Sequence, residues 1–569
     1  MPNAEYYQKF VDGKQSYFAS EVQPRDVPAP IGGWDAFSPL THMPPDHAVT
    51  LQNWIPRPGW VELRGGYNVW TSITQTAVNS LLVYRPVGGT ERMFAVSNNT
   101  VYETSSFGVI GNTPKTVTNT YVQYVNFTVP GGSSYLVCCN GVDAPFAFDG
   151  TNWTTPSIGL SSGLSGYTLN PNKFIQVLSH QQRLFFVLNN STQVWYFPVQ
   201  SISAPAGANG ANVIDVGSFV DKGSYVVSIT SLTLDGGNGP NAFLVIATNK
   251  GQIVIYQGTD PTNANAWSLV GTYDLPPPLG TRCFRKIGSD VAYLSTQGLI
   301  PLSKALPFNP AAQRSVAFTL SIQNTMLLSA QTYAANQGWE TTLFDQQGLM
   351  IVNIPVATNN YQQQYVMNLL TGKWCQFTGW YANTFAIFNE NLFFGDNTGN
   401  VNMAYTGRTD FSNAISADMK CAFNFFEAPG RLKNMTMVKP YMIVDGFFTP
   451  TFNVNVDFGD VSPTAPVINT QPTGALWDSA LWDSGLWSGG NNVSALWQNV
   501  NALGTALAVR MKVNYGGTTG SNLAAIGVFD SGVFDTTVFD GTGVTVPGSN
   551  LPVIQVLGFE AIVQPGGPV

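Results

Sequence analysis

The residues best suited to acid–base or metal chemistry are the three histidines, His42, His47 and His180. His42 and His47 flank Met-Pro-Pro-Asp. With two prolines between them they cannot share one helical face, and no cysteine stands nearby, so no metal site is predicted there. His180 precedes Gln-Gln-Arg-Leu-Phe-Phe and would act as a general base only beside a nucleophile. Without a nucleophile motif it reads as a hydrogen-bonded histidine at a strand start. The turn Asp396-Asn-Thr-Gly399 offers oxygens to Ca²⁺ but lacks the regular acidic ligands of an EF-hand loop. Paired carboxylates for glycoside hydrolysis come from distant strands, and the 33 acidic residues form no recognisable constellation. There is no G-x-S-x-G, no H-E-x-x-H and no P-loop. The sequence names no catalytic, cofactor-binding or metal-ligating residue, and the expectation is a non-enzyme without a cofactor.

Composition points the same way. Only 10% of the residues are charged, so polarity must come from Asn, Gln, Ser, Thr and Gly. Such a surface is easily buried against a partner and suits a subunit of a large assembly. The net charge of −8 implies no basic face for tight nucleic-acid binding. The longest basic cluster, Arg282-Cys-Phe-Arg285-Lys286, reads as a solvated strand end. The first residues carry charges throughout with no apolar core, unlike a signal peptide. No stretch approaches the roughly 20 apolar residues that span a bilayer as a helix. Five cysteines do not make a disulfide framework. The adjacent Cys138 and Cys139 should point to opposite faces of a strand as reduced core residues.

The elements that would position any site are strands. A unit of two short apolar strands around a Gly or Asn/Asp turn recurs from about residue 80 to 405. Copies include YLVCCNGVDAPFAFDGTNW (Tyr135–Trp153), FLVIATNKGQIVIYQG (Phe243–Gly258), YLSTQGLIPLS (Tyr293–Ser303) and NLFFGDNTGNVNMAY (Asn391–Tyr405). A two-strand unit cannot bury its own apolar face, so several must pack together, as propeller blades or a sandwich do. The predicted class is all-β, a β-propeller-like body with a C-terminal β-sandwich-like domain. Residues 1–70 read as an N-terminal arm and a Gly/Pro-rich lead-in with strands at Val49–Trp54 and Trp60–Arg64. Residues 71–410 form the propeller-like domain, with a helix predicted over Val316–Asn336 as an excursion between blades. Residues 411–569 form the C-terminal β domain, with long strands in Met435–Phe458, Ala506–Tyr515 and the terminal LPVIQVLGFEAIVQPGG.

Two five-residue repeats lie in that last domain. They place Trp477, Trp482 and Trp487, then Phe529, Phe534 and Phe539, at every fifth position. Five matches neither the strand nor the helix period, so each unit reads as a turn that sets one aromatic. The aromatics either cover a local core or pack against each other or against a neighbouring subunit.

Gly32–Tyr67, GGWDAFSPLTHMPPDHAVTLQNWIPRPGWVELRGGY, resembles the N-terminal signature of head-to-tail proteins of tailed phages. Met43, Pro44, Pro45, Asp46, Leu51, Asn53, Trp54, Pro56, Val61, Arg64, Gly66 and Tyr67 fit it, while His47 departs from it. His180–Phe197, Phe243–Trp267, YLSTQGLIPLS, Leu349–Trp380 and LFFGDNTGNVN follow in the family's order. The chain thus resembles the tail nozzle (tail tubular protein B-like, head-to-tail stabilisation) proteins of short-tailed phages, the podoviruses. That resemblance implies a virion protein assembled in the host cytoplasm, with a ring of six copies below the portal and head–tail adaptor. The ring would enclose the DNA ejection channel, let genomic DNA pass without tight binding, dock tail fibres or receptor-binding proteins, and meet the host outer membrane. Six copies at −8 each carry −48, which would repel phosphates where acidic groups face the lumen. The alternative expectation is a β-propeller carbohydrate-binding protein or glycan-active enzyme of the virion.

Overall fold

The computed structural model describes residues 6–11, 14–19, 23–73, 76–112, 114–235, 240–309, 312–358, 360–444, 449–463, 492–494, 496–516 and 553–568. The period-five aromatics Trp477, Trp482, Trp487, Phe529, Phe534 and Phe539 lie outside the described residues. The chain forms two compact units, residues 35–38 with 69–402, and residues 1–34 with 39–68 and 403–569. Parts of the segments 1–70 and 411–569, read separately from sequence, therefore fold together in one unit.

The first unit is a seven-bladed β-propeller. Six antiparallel blades begin with the inner strands Ser80–Tyr84, Gln123–Thr128, Phe174–His180, Val226–Asp235, Phe284–Ile287 and Glu340–Phe344. A seventh begins with Thr384–Phe388 and continues through Asn391–Gly395 and Asn400–Ala404. Each inner strand packs on the next, and Thr384–Phe388 packs on Ser80–Tyr84, so the ring closes. Closure is reinforced by chain that precedes blade 1. Beyond the strand Tyr67–Ser72, the Ile73 N–H donates to the Gly399 carbonyl (2.9 Å), and Ser72 Oγ donates to Asn400 Oδ1 (2.7 Å).

Blade strands are apolar on both faces because each blade is covered on both sides. In Ser134–Cys139, Leu136 and Cys138 enter the core shared with blade 1, whereas Val137 and Cys139 enter the core shared with blade 3. In Arg183–Leu188, Phe186 faces blade 2 while Phe185 and Val187 face blade 4. The period of two is kept, but both phases are buried, which is why these strands read as unbroken apolar runs. All five cysteines are buried free thiols, and Cys138 and Cys139 take opposite faces as expected.

The four quoted repeat copies fold as strand–turn–strand units. Blade 5 has three strands, and the predicted helical excursion follows it. The α-helix is shorter than the sequence suggests, Gln323–Tyr333, preceded by 3₁₀ turns at Gln313–Val316 and Leu320–Ile322. It buries Met326 and Ala330 against blades 5 and 6.

The second unit contains two large sheets, besides the hairpin of Tyr6–Val11 with Lys14–Ala19. One runs His47–Gln52, Asn413–Cys421, Leu507–Tyr515, Thr449–Val456. In the other, Ile554–Pro568 pairs with Arg431–Val444, with Trp60–Leu63 and with Gln23–Pro28. The Pro-rich stretch read as an arm is therefore a paired strand, its partner more than five hundred residues away. Phe452 of one sheet meets Phe559 of the other edge-on at 6.5 Å.

Residues of the N-terminal signature are the buried heart of this unit. Leu51, Trp54, Val61 and Arg64 are almost wholly buried. Gly66 is required by close approach, since a Cβ there would lie 1.9 Å from the Thr409 carbonyl oxygen, which belongs to backbone and cannot swing away. Gly66→Ala is expected to lower stability by about 1–3 kcal/mol or more, read as a reduced urea midpoint.

Candidate functional site at the propeller axis

The N-terminal ends of the inner strands surround a solvent-open cavity of about 190 Å³. It is lined by Asn119, Tyr121 and Gln123 before and at the start of blade 2, by Asn140 and Ile175, by Gly280, Thr281 and Arg282 before blade 5, and by Asn336, Gln337, Gly338 and Trp339 before blade 6. Its polar groups are mostly amides that hold one another. Asn119 Nδ2 donates to the Asn140 carbonyl (2.9 Å), and Asn140 Nδ2 donates back to the Asn119 carbonyl (3.1 Å) and to Asp143 (2.7 Å). Asn336 Nδ2 donates to the carbonyls of Pro355 and Val356. Trp339 is buried, and its indole N–H donates to the Tyr333 carbonyl.

At the floor of this cavity Arg282 reaches across the axis. One guanidinium nitrogen donates to Glu340 Oε2 of blade 6 (2.8 Å) and Thr384 Oγ1 of blade 7 (3.0 Å). Another donates to Ser80 Oγ of blade 1 (2.9 Å) and to the Val122 carbonyl before blade 2 (3.1 Å). Glu340 also accepts the Phe385 N–H. Burial pushes the Glu340 carboxyl above the usual carboxylate range, while Arg282 beside it pulls the other way. One side chain thus ties its own blade to four others. The cluster Arg282-Cys-Phe-Arg285-Lys286, read as a solvated strand end, is instead the inner strand of blade 5 and its approach. Cys283 is buried and the Arg282 side chain is only 19% exposed. A strand end turned towards the axis of a ring is enclosed by neighbours that no local pattern announces.

The other sequence candidates stand apart. His42 is exposed and hydrogen-bonds Thr41. His47 belongs to the strand His47–Gln52, and its ring fills the space where a Cβ on Gly32 would stand. Asp396 is saturated by protein donors. One oxygen accepts the N–H groups of Thr398 and Asn400 and the Thr398 hydroxyl, the other the side-chain amides of Asn400 and Asn402. That turn is closed by its own amides and the Thr398 hydroxyl. No cluster of three metal-ligating residues occurs among the described residues.

His180 ends its strand rather than starting one, just before the Gln181-Gln182 turn. It is buried, its Nδ1 lies 3.0 Å from Ser231 Oγ, and Phe185 and Trp267 flank the ring. Burial, helped by Lys286, lowers its pKa to about 4. The unfolded chain binds this proton below the ordinary value near 6.5, but the folded chain does not until about 4. Stability is therefore expected to fall as pH drops through that window, by on the order of 3 kcal/mol from this group. His180→Gln should flatten that part of the stability–pH profile, measured by denaturation midpoints at successive pH values.

Sequence reasoning missed Arg282, Glu340, Arg64 and Asp410. Arg64 alone carried a signal, as a member of the N-terminal signature.

No helix among the described residues is long and apolar enough to cross a membrane. No protein-family profile matches the chain, and no curated protein matches it. Among solved structures, Raptor from Chaetomium thermophilum aligns at 10% identity with a TM-score of 0.36, over 60% of this chain and 28% of its own length. BBS1N, crystallised in complex with ARL6DN, aligns at 10% identity and a TM-score of 0.35, over 61% of this chain and 97% of its own. The β-propeller domain of Cps50 (Swd1) from Myceliophteria thermophila aligns at 11% identity and a TM-score of 0.35, over 59% of this chain and 98% of its own.

Proposed function

We propose that this chain is the tail nozzle subunit of a short-tailed phage, a structural protein of the virion. Six copies form a ring below the head–tail adaptor, enclose the DNA ejection channel, carry tail fibres and face the host outer membrane. The observation that carries this reading is the ordered set of motifs from Gly32 to Asn402. A low charge density, suited to burial between subunits, supports it. The propeller axis bears on the path of the DNA. Arg282 bridges five blades across it, which supports a conduit enclosed between subunits over one through a propeller.

The test is negative-stain imaging of phage particles labelled with an antibody against this chain. Label at the distal end of a short tail is the expected result. Label elsewhere would reject the nozzle and favour the second reading, a carbohydrate-binding propeller. The amide-rich lining of the axial cavity supports that alternative, since amides are good partners for sugar hydroxyls. Binding of the purified chain to host-surface glycans, lost in Gln337→Ala, would establish it.

A further inference from the structure

One blade has a long, open outer edge. The outer strands of blades 1, 2 and 3 span two, two and four residues, Lys115–Thr116, Trp153–Thr154 and Asn212–Asp215. Those of blades 5, 6 and 7 are largely buried. In blade 4 the outer strand Trp267–Asp274 runs for eight residues, and Ser268, Leu269, Val270, Thr272 and Asp274 are exposed. It pairs with Gln252–Gly258 on one side and with no described strand on the other. Such an edge presents a row of free N–H and C=O groups, which proteins guard with lysine, proline or bulges. This strand has no lysine, arginine or proline, and its one guard is a bulge at Val270.

A second part of the chain has the opposite need. The hairpin of Tyr6–Val11 with Lys14–Ala19 is a sheet of only two strands, joined by no third among the described residues. Two strands alone are marginal in water. Tyr6, Tyr7, Phe10, Tyr17 and Phe18 nonetheless give this segment the aromatic content of a strand former. The charges are complementary as well. Lys9 and Lys14 are the only charged residues on the hairpin strands, and Asp274 is the only one on the blade 4 edge. Asp274 meets Lys222 at 2.6 Å, but the two side chains are 48% and 41% exposed, so that surface pair holds it weakly.

We propose that the N-terminal hairpin of one copy adds to the outer edge of blade 4 in a second copy, extending that four-stranded sheet by two strands. Main-chain hydrogen bonds across the new edge supply the affinity, as in other cases of strand addition. The contact is heterologous. Each copy gives a hairpin and receives one, so copies link head to tail into a closed ring or an open chain. The proposal rests on the two open edges and not on the nozzle reading, whose own test is the position of antibody label on the particle.

The experiment uses the full-length chain and measures its mass in solution by light scattering over a dilution series. The parent chain should associate reversibly. Removal of residues 1–19 should leave a folded monomer. The double variant Val270→Lys, Thr272→Lys places cations on the edge and should also leave a folded monomer. Mixing the two is the sharpest step, because the truncated chain keeps its edge and the lysine variant keeps its hairpin. Together they should form a one-to-one pair that neither forms alone. A parent chain that stays monomeric at every concentration would overturn the proposal. So would a truncated chain or a lysine variant that associates as the parent does, the former pointing to edge-to-edge pairing or another surface. A mixture that stays monomeric would overturn it too. If the double variant melts well below the parent chain, Thr272→Lys alone takes its place, and unchanged association there counts against the proposal in the same way.

Discussion

Asp410→Ala is expected to destabilise the unit that contains it by about 3–5 kcal/mol, a cost typical of breaking a buried ion pair from one side. Arg64 is wholly buried, and its guanidinium meets both carboxylate oxygens of Asp410, at 2.8 and 2.6 Å. The same guanidinium donates to Asn53 Oδ1 (2.9 Å) and to the Gly65 carbonyl (3.0 Å). Asn53 in turn donates to the Ser416 carbonyl from a backbone at φ 60°. Removing the carboxylate strands a desolvated cation inside this network. The double variant Arg64→Met, Asp410→Leu removes both charges and should recover most of the loss. Urea midpoints of the two variants provide the check. A double variant as unstable as Asp410→Ala would mean that shape rather than charge matters here.

Arg282→Met is expected to cost the propeller a similar 3–5 kcal/mol at pH 8, and less at pH 5. The variant leaves Glu340 buried without its cation, so the folded-state pKa of the carboxyl, already raised, rises further. A carboxyl with a raised folded pKa favours the folded state when protonated. Its penalty is absent well below the unfolded value and grows as pH climbs towards the folded value. The deficit should therefore shrink on acidification, opposite in sign to the His180 effect. Comparing urea midpoints of the variant and parent chain at each pH isolates the difference. A pH-independent deficit would assign the loss to the Ser80, Thr384 and Val122 hydrogen bonds instead.

Some of this architecture was legible locally. LVCC and NLFFG read as strands because apolar runs between Asn/Asp-Gly turns have few other solutions, and Cys138 and Cys139 had to take opposite faces. Other turns were invisible. Gln181-Gln182 and Asn389-Glu390 close hairpins with both residues at positive φ but carry no glycine. The helix Gln323–Tyr333 was found, yet its predicted N-terminal end overran into 3₁₀ turns, where the same apolar spacing persists.

The axial node was not legible. Arg282 looked like a solvated cation because Arg285 and Lys286 follow within four positions, and nothing nearby indicated that five blades converge on it.

By itself the sequence determined an all-β chain of strand–turn–strand units and its free, buried cysteines. Those properties rest on the two-residue strand period and on turn chemistry, both of which act over a few residues. The tertiary structure decided the number of blades, the closing contribution of residues 69–73, and the pairing of Gln23–Pro28 with Ile554–Pro568. It also decided the fate of the charges. Arg64 finds Asp410 across 346 positions, and Arg282 finds Glu340 across 58. Whether an arginine is solvated, paired or stranded depends on what surrounds it in space, and that is set only when distant strands meet.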